Sequence, residues 1–130
     1  HPESVHHPHL VLTSIRKRGK KAGLALNPGL SLNTVDTLLP LADYAIIMSV
    51  NPGWGGQDFL EGSFERAEAL RRFAREHQLD LSIEIDGGMN AERIPRAALA
   101  GIDVAIAGSA IFKAKDPEAV VRQMLSAVPV

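Results

Sequence analysis

The chain has 130 residues, 45% hydrophobic and 22% charged, with a net charge of −1 at pH 7. That balance belongs to a folding domain, and without a long basic run it points to neither nucleic acid nor an anionic membrane as partner. With no cysteine, disulfides and thiolate metal sites are excluded and a cytoplasmic location fits; no apolar stretch is long enough for a membrane-spanning helix.

The sequence opens His1-Pro2-Glu3 without an initiator methionine, as processing or truncation would leave it. Leu10, Val11, Ser14 and Ile15 at helical spacing predict a helix from Pro8 to Arg18, stopped at Gly19. His6, His7 and His9 cluster near its start, but only His6 and His9 share a turn and the further ligands a metal needs are missing. Arg16, Lys17, Arg18, Lys20 and Lys21 read as cations complementing the helix end. A buried strand follows at Lys21 to Leu26, closed by Asn27-Pro28.

Leu32 to Leu39 reads as a second helix with Ser31 as its cap. Tyr44 to Val50 is a second strand. The longest helix runs from Ser63 to His77, burying Phe64, Ala67, Leu70 and Ala74 and turning Glu65, Arg66, Glu68, Arg72 and Arg75 to water. Leu81 to Ile85 is the third strand. Asn90 caps a segment that ends at Gly101, with Pro95 delaying its regular helix. Val104 to Ala107 is the fourth strand. Asp116-Pro117 starts a last helix that buries Val120, Val121, Met124 and Leu125. Tyr44 and Phe112 are read as core or interface packing. One helix and then four strand–helix units imply an α/β fold with a parallel sheet and right-handed crossovers.

The strand ends carry the chemistry. In "LSIEIDGG", Leu81, Ile83 and Ile85 share one face and Ser82, Glu84 and Asp86 the other. A sheet covered on both sides would bury that polar row at high cost, whereas a closed barrel turns it inward. The residues alone leave Asp86 open between a turn residue before Gly87-Gly88 and a carboxylate on a catalytic rim. "MSVNPGWGGQDF" leaves a strand on glycines dense enough to bring backbone N–H groups against a ligand, or to make a flexible surface loop. Nothing else in that stretch fixes its shape, so it is expected to be disordered without a ligand. Asn27-Pro28, Asn51-Pro52-Gly53, Asp86-Gly87-Gly88 and Gly108-Ser109 all follow apolar strands, as loops on one barrel rim would.

"KAGLALNP", "MSVNPGWGGQDF", "IEIDGG" and "VAIAGSAIF", in this order, resemble the ribulose-phosphate 3-epimerase family over nearly the whole chain. The resemblance implies a TIM (β/α)8 barrel of which residues 1–130 are the C-terminal half, strands five to eight. Trp54 stands where the family usually has Phe, and Met89 where it has Val. The serine, the two histidines and the aspartate that the family's first strands contribute are absent, and a complete barrel needs about 250 residues.

The implied activity of the complete enzyme is isomerisation: metal-dependent epimerisation at C3 of a pentulose 5-phosphate, D-ribulose to D-xylulose, within the pentose phosphate pathway. A related hexulose-phosphate 3-epimerase and a non-catalytic phosphate-binding half-barrel are the alternatives. The resemblance makes Asp86 a metal ligand and one of two proton-exchanging carboxylates. It sets Met48 over the sugar and gives the phosphate to Gly53, Trp54, Gly55, Gly56, Gly87, Gly88, Gly108 and Ser109. The cofactor expected is a divalent cation, zinc or ferrous iron. A cytoplasmic homo-oligomer is expected for the whole enzyme and no activity for this chain alone.

Overall fold

A computed structural model describes residues 1–129. Four strands, β1 (Gly23–Leu26), β2 (Tyr44–Met48), β3 (Ser82–Asp86) and β4 (Val104–Ile106), lie side by side in chain order, all parallel. Around them are α1 (Pro8–Lys17), α2 (Ser63–Glu76), α3 (Ile94–Leu99), α4 (Ser109–Phe112) and α5 (Pro117–Ser126). The four expected strands all form, within two residues of their predicted ends.

The two faces of the sheet differ. Leu24, Leu26, Ala45, Ile47, Ile83 and Ile85 are buried in one cluster with Phe64, Ala67 and Leu70 of α2 and Ile94 and Ala97 of α3. On the opposite parity Gly23, Ala25, Ile46, Ser82, Glu84 and Asp86 stay half-exposed. Parallel sheets are ordinarily covered on both faces. Helices on one face and a polar row on the other make this sheet a section of barrel wall. Tyr44 lies across the open face over Gly23, where a Cβ would fall 2.2 Å from its ring. Only glycine admits that ring.

Register is set at the N-terminal ends of the strands by a device used twice. Asp43, just before β2, exchanges hydrogen bonds with Ala22: its carboxylate accepts the Ala22 N–H at 2.7 Å and its own N–H reaches the Ala22 carbonyl at 2.7 Å. Asp103, just before β4, treats Ile83 the same way, at 2.8 Å in both directions. Arg71 of α2 clamps Asp103 and also donates to the carbonyls of Gly101 and Leu81. Locking these ends fixes what meets at the other end, where Asp86 pairs with Met48 on one side and Ile106 on the other.

Leu32 to Leu39 is not a helix. Single 3-10 turns form at Leu32–Thr34 and Leu39–Leu41, and the Ser31 side chain makes no cap bond. Instead the Thr34 hydroxyl donates to the Ser31 carbonyl and the Asp36 carboxylate accepts the Thr37 N–H, both at 2.6 Å. Such local bonds compete with a helical ladder, and Pro40 removes a donor from the next turn. Val35, Leu38 and Leu39 are buried all the same. Their spacing reported burial, not helix.

The helix expected from Pro8 forms as α1, but exposure departs from the sequence pattern at several positions. Leu12 is the buried residue of α1, while Leu10 is 62% exposed and Val11 is exposed as well. In α5 Met124 is buried, but Val121 is exposed and Leu125 is 69% exposed. Phe112, on the unanticipated four-residue α4, is 81% exposed, so of the two expected roles, core and interface, the core role is overturned. Arg66 is half-buried and does not simply turn to water: its guanidinium donates to the carbonyls of Asn27 (3.1 Å), Pro28 (3.3 Å) and Leu30 (2.7 Å). Burial lowers its pKa, yet an arginine stays charged there. It ties α2 to the loop after β1. The Asp116 cap forms as expected, its carboxylate accepting the Ala119 N–H at 3.0 Å.

Candidate functional site

An open cleft of about 920 Å³ lies at the C-terminal ends of β2, β3 and β4. All ten residues singled out from the sequence line it: Met48, Gly53, Trp54, Gly55, Gly56, Asp86, Gly87, Gly88, Gly108 and Ser109. They come from four separate stretches of chain. Parallel pairing in register brings them to one rim, where a (β/α)8 fold keeps its active site.

Asp86 ends β3 on the open face of the sheet, half-exposed, with Met48 and Ile106 as its neighbours across the ladder. Its backbone is held by Ser49, which is fully buried. The Ser49 N–H donates to the Asp86 carbonyl at 2.8 Å, and the Ser49 hydroxyl is shared between the carbonyls of Asp86 (2.8 Å) and Gly87 (2.6 Å). Gly87 and Gly88 then turn away with φ of +120° and +64°. At Gly87 a Cβ would sit 2.6 Å from the Val50 side chain, so glycine is needed there on two counts. Arg93 supports the same turn, donating to the Gly88 carbonyl at 3.0 Å while lying 4.6 Å over the Phe59 ring.

The glycine loop is better fixed than the sequence implied. The Gln57 amide donates to the carbonyls of Asn51 and Trp54 and accepts the Asn51 N–H. Among the described residues, no backbone carbonyl accepts the N–H groups of Gly53, Gly55 or Gly56. Lys113 lines the cleft as well and adds a cation.

Ser49, Gln57, Arg93 and Lys113 escaped the sequence reading. Ser49 had one signal, a lone hydroxyl on the parity of Ala45 and Ile47 where an apolar side chain is expected. Gln57 and Arg93 act on carbonyls, and nothing in a residue's type announces that partner.

The described residues include no group of three or more His, Asp or Glu side chains able to hold a metal. Asp86 is a single carboxylate donor, and among the described residues no further His, Asp or Glu groups with it to complete the usual ligand set of a divalent metal. No helix among the described residues is long and apolar enough to cross a membrane.

The sequence model of the ribulose-phosphate 3-epimerase family matches residues 1–112. The chain belongs to that family. It is 45% identical to ribulose-phosphate 3-epimerase of Aquifex aeolicus (strain VF5) over 134 aligned positions, which cover all of this chain and 60% of the relative. The corresponding enzyme of Escherichia coli K12 is 39% identical over 97% of this chain and 56% of its own length. Against the relatives it matches, the chain therefore spans little more than half. A crystal structure of 3-hexulose-6-phosphate synthase superposes with a TM-score of 0.68, covering 92% of this chain and 55% of that one, at 22% identity. At that identity the likeness concerns the fold, and it agrees with half of a barrel.

Proposed function

We propose that residues 1–130 form the C-terminal half of one sugar-phosphate epimerase barrel, and that the complete enzyme inverts C3 of a pentulose 5-phosphate. The observation that carries this reading is one carboxylate, Asp86, on a rim whose other lining groups are glycine turns with their backbone N–H groups, apolar side chains, the polar Asn51, Gln57 and Ser109, and the cation Lys113. Unpaired N–H groups at glycine turns suit a phosphate. Met48 and Ile106 beside Asp86 suit the carbon skeleton of a sugar.

The C3 hydrogen of a 2-ketose is acidified by the adjacent ketone. Removing it leaves a planar carbon, and inversion requires the new proton to arrive on the opposite face. Asp86 takes or returns the proton on one face only, so a second acid must face it across the barrel. Among the described residues Asp86 is the only acidic side chain lining the cleft, and none stands opposite it. That is why the chain alone is expected to bind and not to turn over. A divalent cation in the complete enzyme, zinc or ferrous iron, would offset negative charge at the substrate oxygens. Asp86 is offered as one of its ligands, the rest lying outside these residues.

Asp86→Asn in an enzyme completed with a first half tests the reading. Turnover of ribulose 5-phosphate should fall at least ~100-fold, the low end for losing a general acid or base. Near-normal turnover would reduce Asp86 to a turn residue. Faster turnover of a hexulose 6-phosphate than of ribulose 5-phosphate by the unmutated enzyme would move the reading to the neighbouring specificity.

A further inference from the structure

Gln57 sits at the end of the glycine loop, and its carboxamide is turned back into the loop. It meets the Asn51 backbone as another peptide group would, with its oxygen 3.1 Å from the Asn51 N–H and its nitrogen within hydrogen-bond distance of the Asn51 carbonyl. The second amide hydrogen reaches the Trp54 carbonyl at 2.9 Å. One side chain thus ties both the start and the tip of a seven-residue loop, Asn51 to Gln57, whose glycines at 53 and 56 have φ of +130° and +78°. A Cβ on Gly53, Gly55 or Gly56 would touch nothing within 4 Å, so packing does not hold this loop.

We infer that Gln57 is a positioning residue: it preforms the glycine loop so that the N–H groups of Gly53, Gly55 and Gly56 are already free to meet an anion before one arrives. The inference rests on the phosphate-binding reading of this cleft and names the residue that gives the site its shape. A glycine-rich loop free in solution visits many shapes, and its apparent affinity is reduced by the fraction in the competent one. Three hydrogen bonds from a single amide raise that fraction. The chemistry is specific to a carboxamide. Glutamate keeps one acceptor but sets a carboxylate oxygen against two carbonyls, and methionine keeps the length but makes none of the bonds.

The only tryptophan in the chain, Trp54, lies in this loop and is 66% exposed, which supplies a spectroscopic signature. Two measurements on the 130-residue chain and its Gln57→Glu and Gln57→Met variants test the inference. In phosphate-free buffer, the Trp54 fluorescence anisotropy should gain a fast local decay in both variants. On titration with inorganic phosphate, the emission change should need ~10-fold more phosphate in the variants, as expected if the competent loop population drops tenfold. Wild-type decay together with wild-type phosphate affinity in both variants would overturn it.

Failure of the underlying reading looks different. If wild-type Trp54 ignores phosphate, the phosphate assignment is wrong, while the anisotropy comparison still decides whether Gln57 shapes the loop. Should the variants lose their far-UV dichroism, hydrogen exchange of the Gln57 amide protons in the wild type decides instead. Slowed exchange supports the hydrogen-bonded role, and exchange at the rate of free glutamine contradicts it.

Discussion

Ser49 and Asp86 are joined backbone to backbone and again through a hydroxyl: the Ser49 N–H and Oγ each lie 2.8 Å from the Asp86 carbonyl. The backbone that carries the rim carboxylate is therefore held by a buried residue just past the end of the adjacent strand. Ser49→Ala should remove the hydroxyl bonds to Asp86 and Gly87 and destabilise the chain by about 1–2 kcal/mol, the usual cost of leaving a buried acceptor short of a partner. Urea unfolding followed by circular dichroism checks this. An unchanged midpoint would mean that the N–H alone holds the strand end.

Gly87 gives a sharper test, because two independent causes forbid a side chain there. Its φ is +120°, and a Cβ would stand 2.6 Å from Val50 Cγ2 and 3.0 Å from the Val50 backbone nitrogen. Gly87→Ala should cost about 1–3 kcal/mol in backbone strain alone, more with the clash. Adding Val50→Ala should recover only part of the loss, since neither φ nor the backbone contact changes. Full recovery in the double variant would show that crowding was the whole effect.

The strands and the rim could be read in the sequence because their signals are local. Short apolar runs closed by Gly, Asn-Pro or Gly-Ser mark buried parallel strands, and in register they carry Met48, Asp86 and Gly108 to one edge. What could not be read depends on distant partners. Arg66 looks like any solvent-facing residue of an amphipathic helix until α2 is laid beside the loop carbonyls of Asn27, Pro28 and Leu30. Leu10, Val11, Val121 and Leu125 carry the right periodicity for burial, but among the described residues they are covered only in part. Periodicity tells which residues suit a core, not whether a second surface is there to make one.

Those exposed apolar groups bear on behaviour in solution. The sheet has two unpaired edges, β1 and β4, and Val104 on β4 is 42% exposed. Open parallel edges flanked by apolar side chains template pairing with other chains. The 130-residue chain by itself should therefore elute and scatter light as a dimer or larger species at micromolar concentration. A concentration-independent monomer would show that these edges are protected in a way the half-barrel account lacks.

Complementation tests the half-barrel most directly. Residues 1–130 can be joined to the N-terminal part of the Aquifex aeolicus relative, which shares 45% identity with this chain and extends beyond it. Epimerisation of ribulose 5-phosphate is then measured for the chain, for the N-terminal part and for the fusion, with divalent metal supplied. The half-barrel account predicts no turnover by either part and turnover by the fusion that is lost with Asp86→Asn. Turnover by the 130-residue chain alone, or a folded fusion that neither turns over nor binds the sugar phosphate, would contradict it.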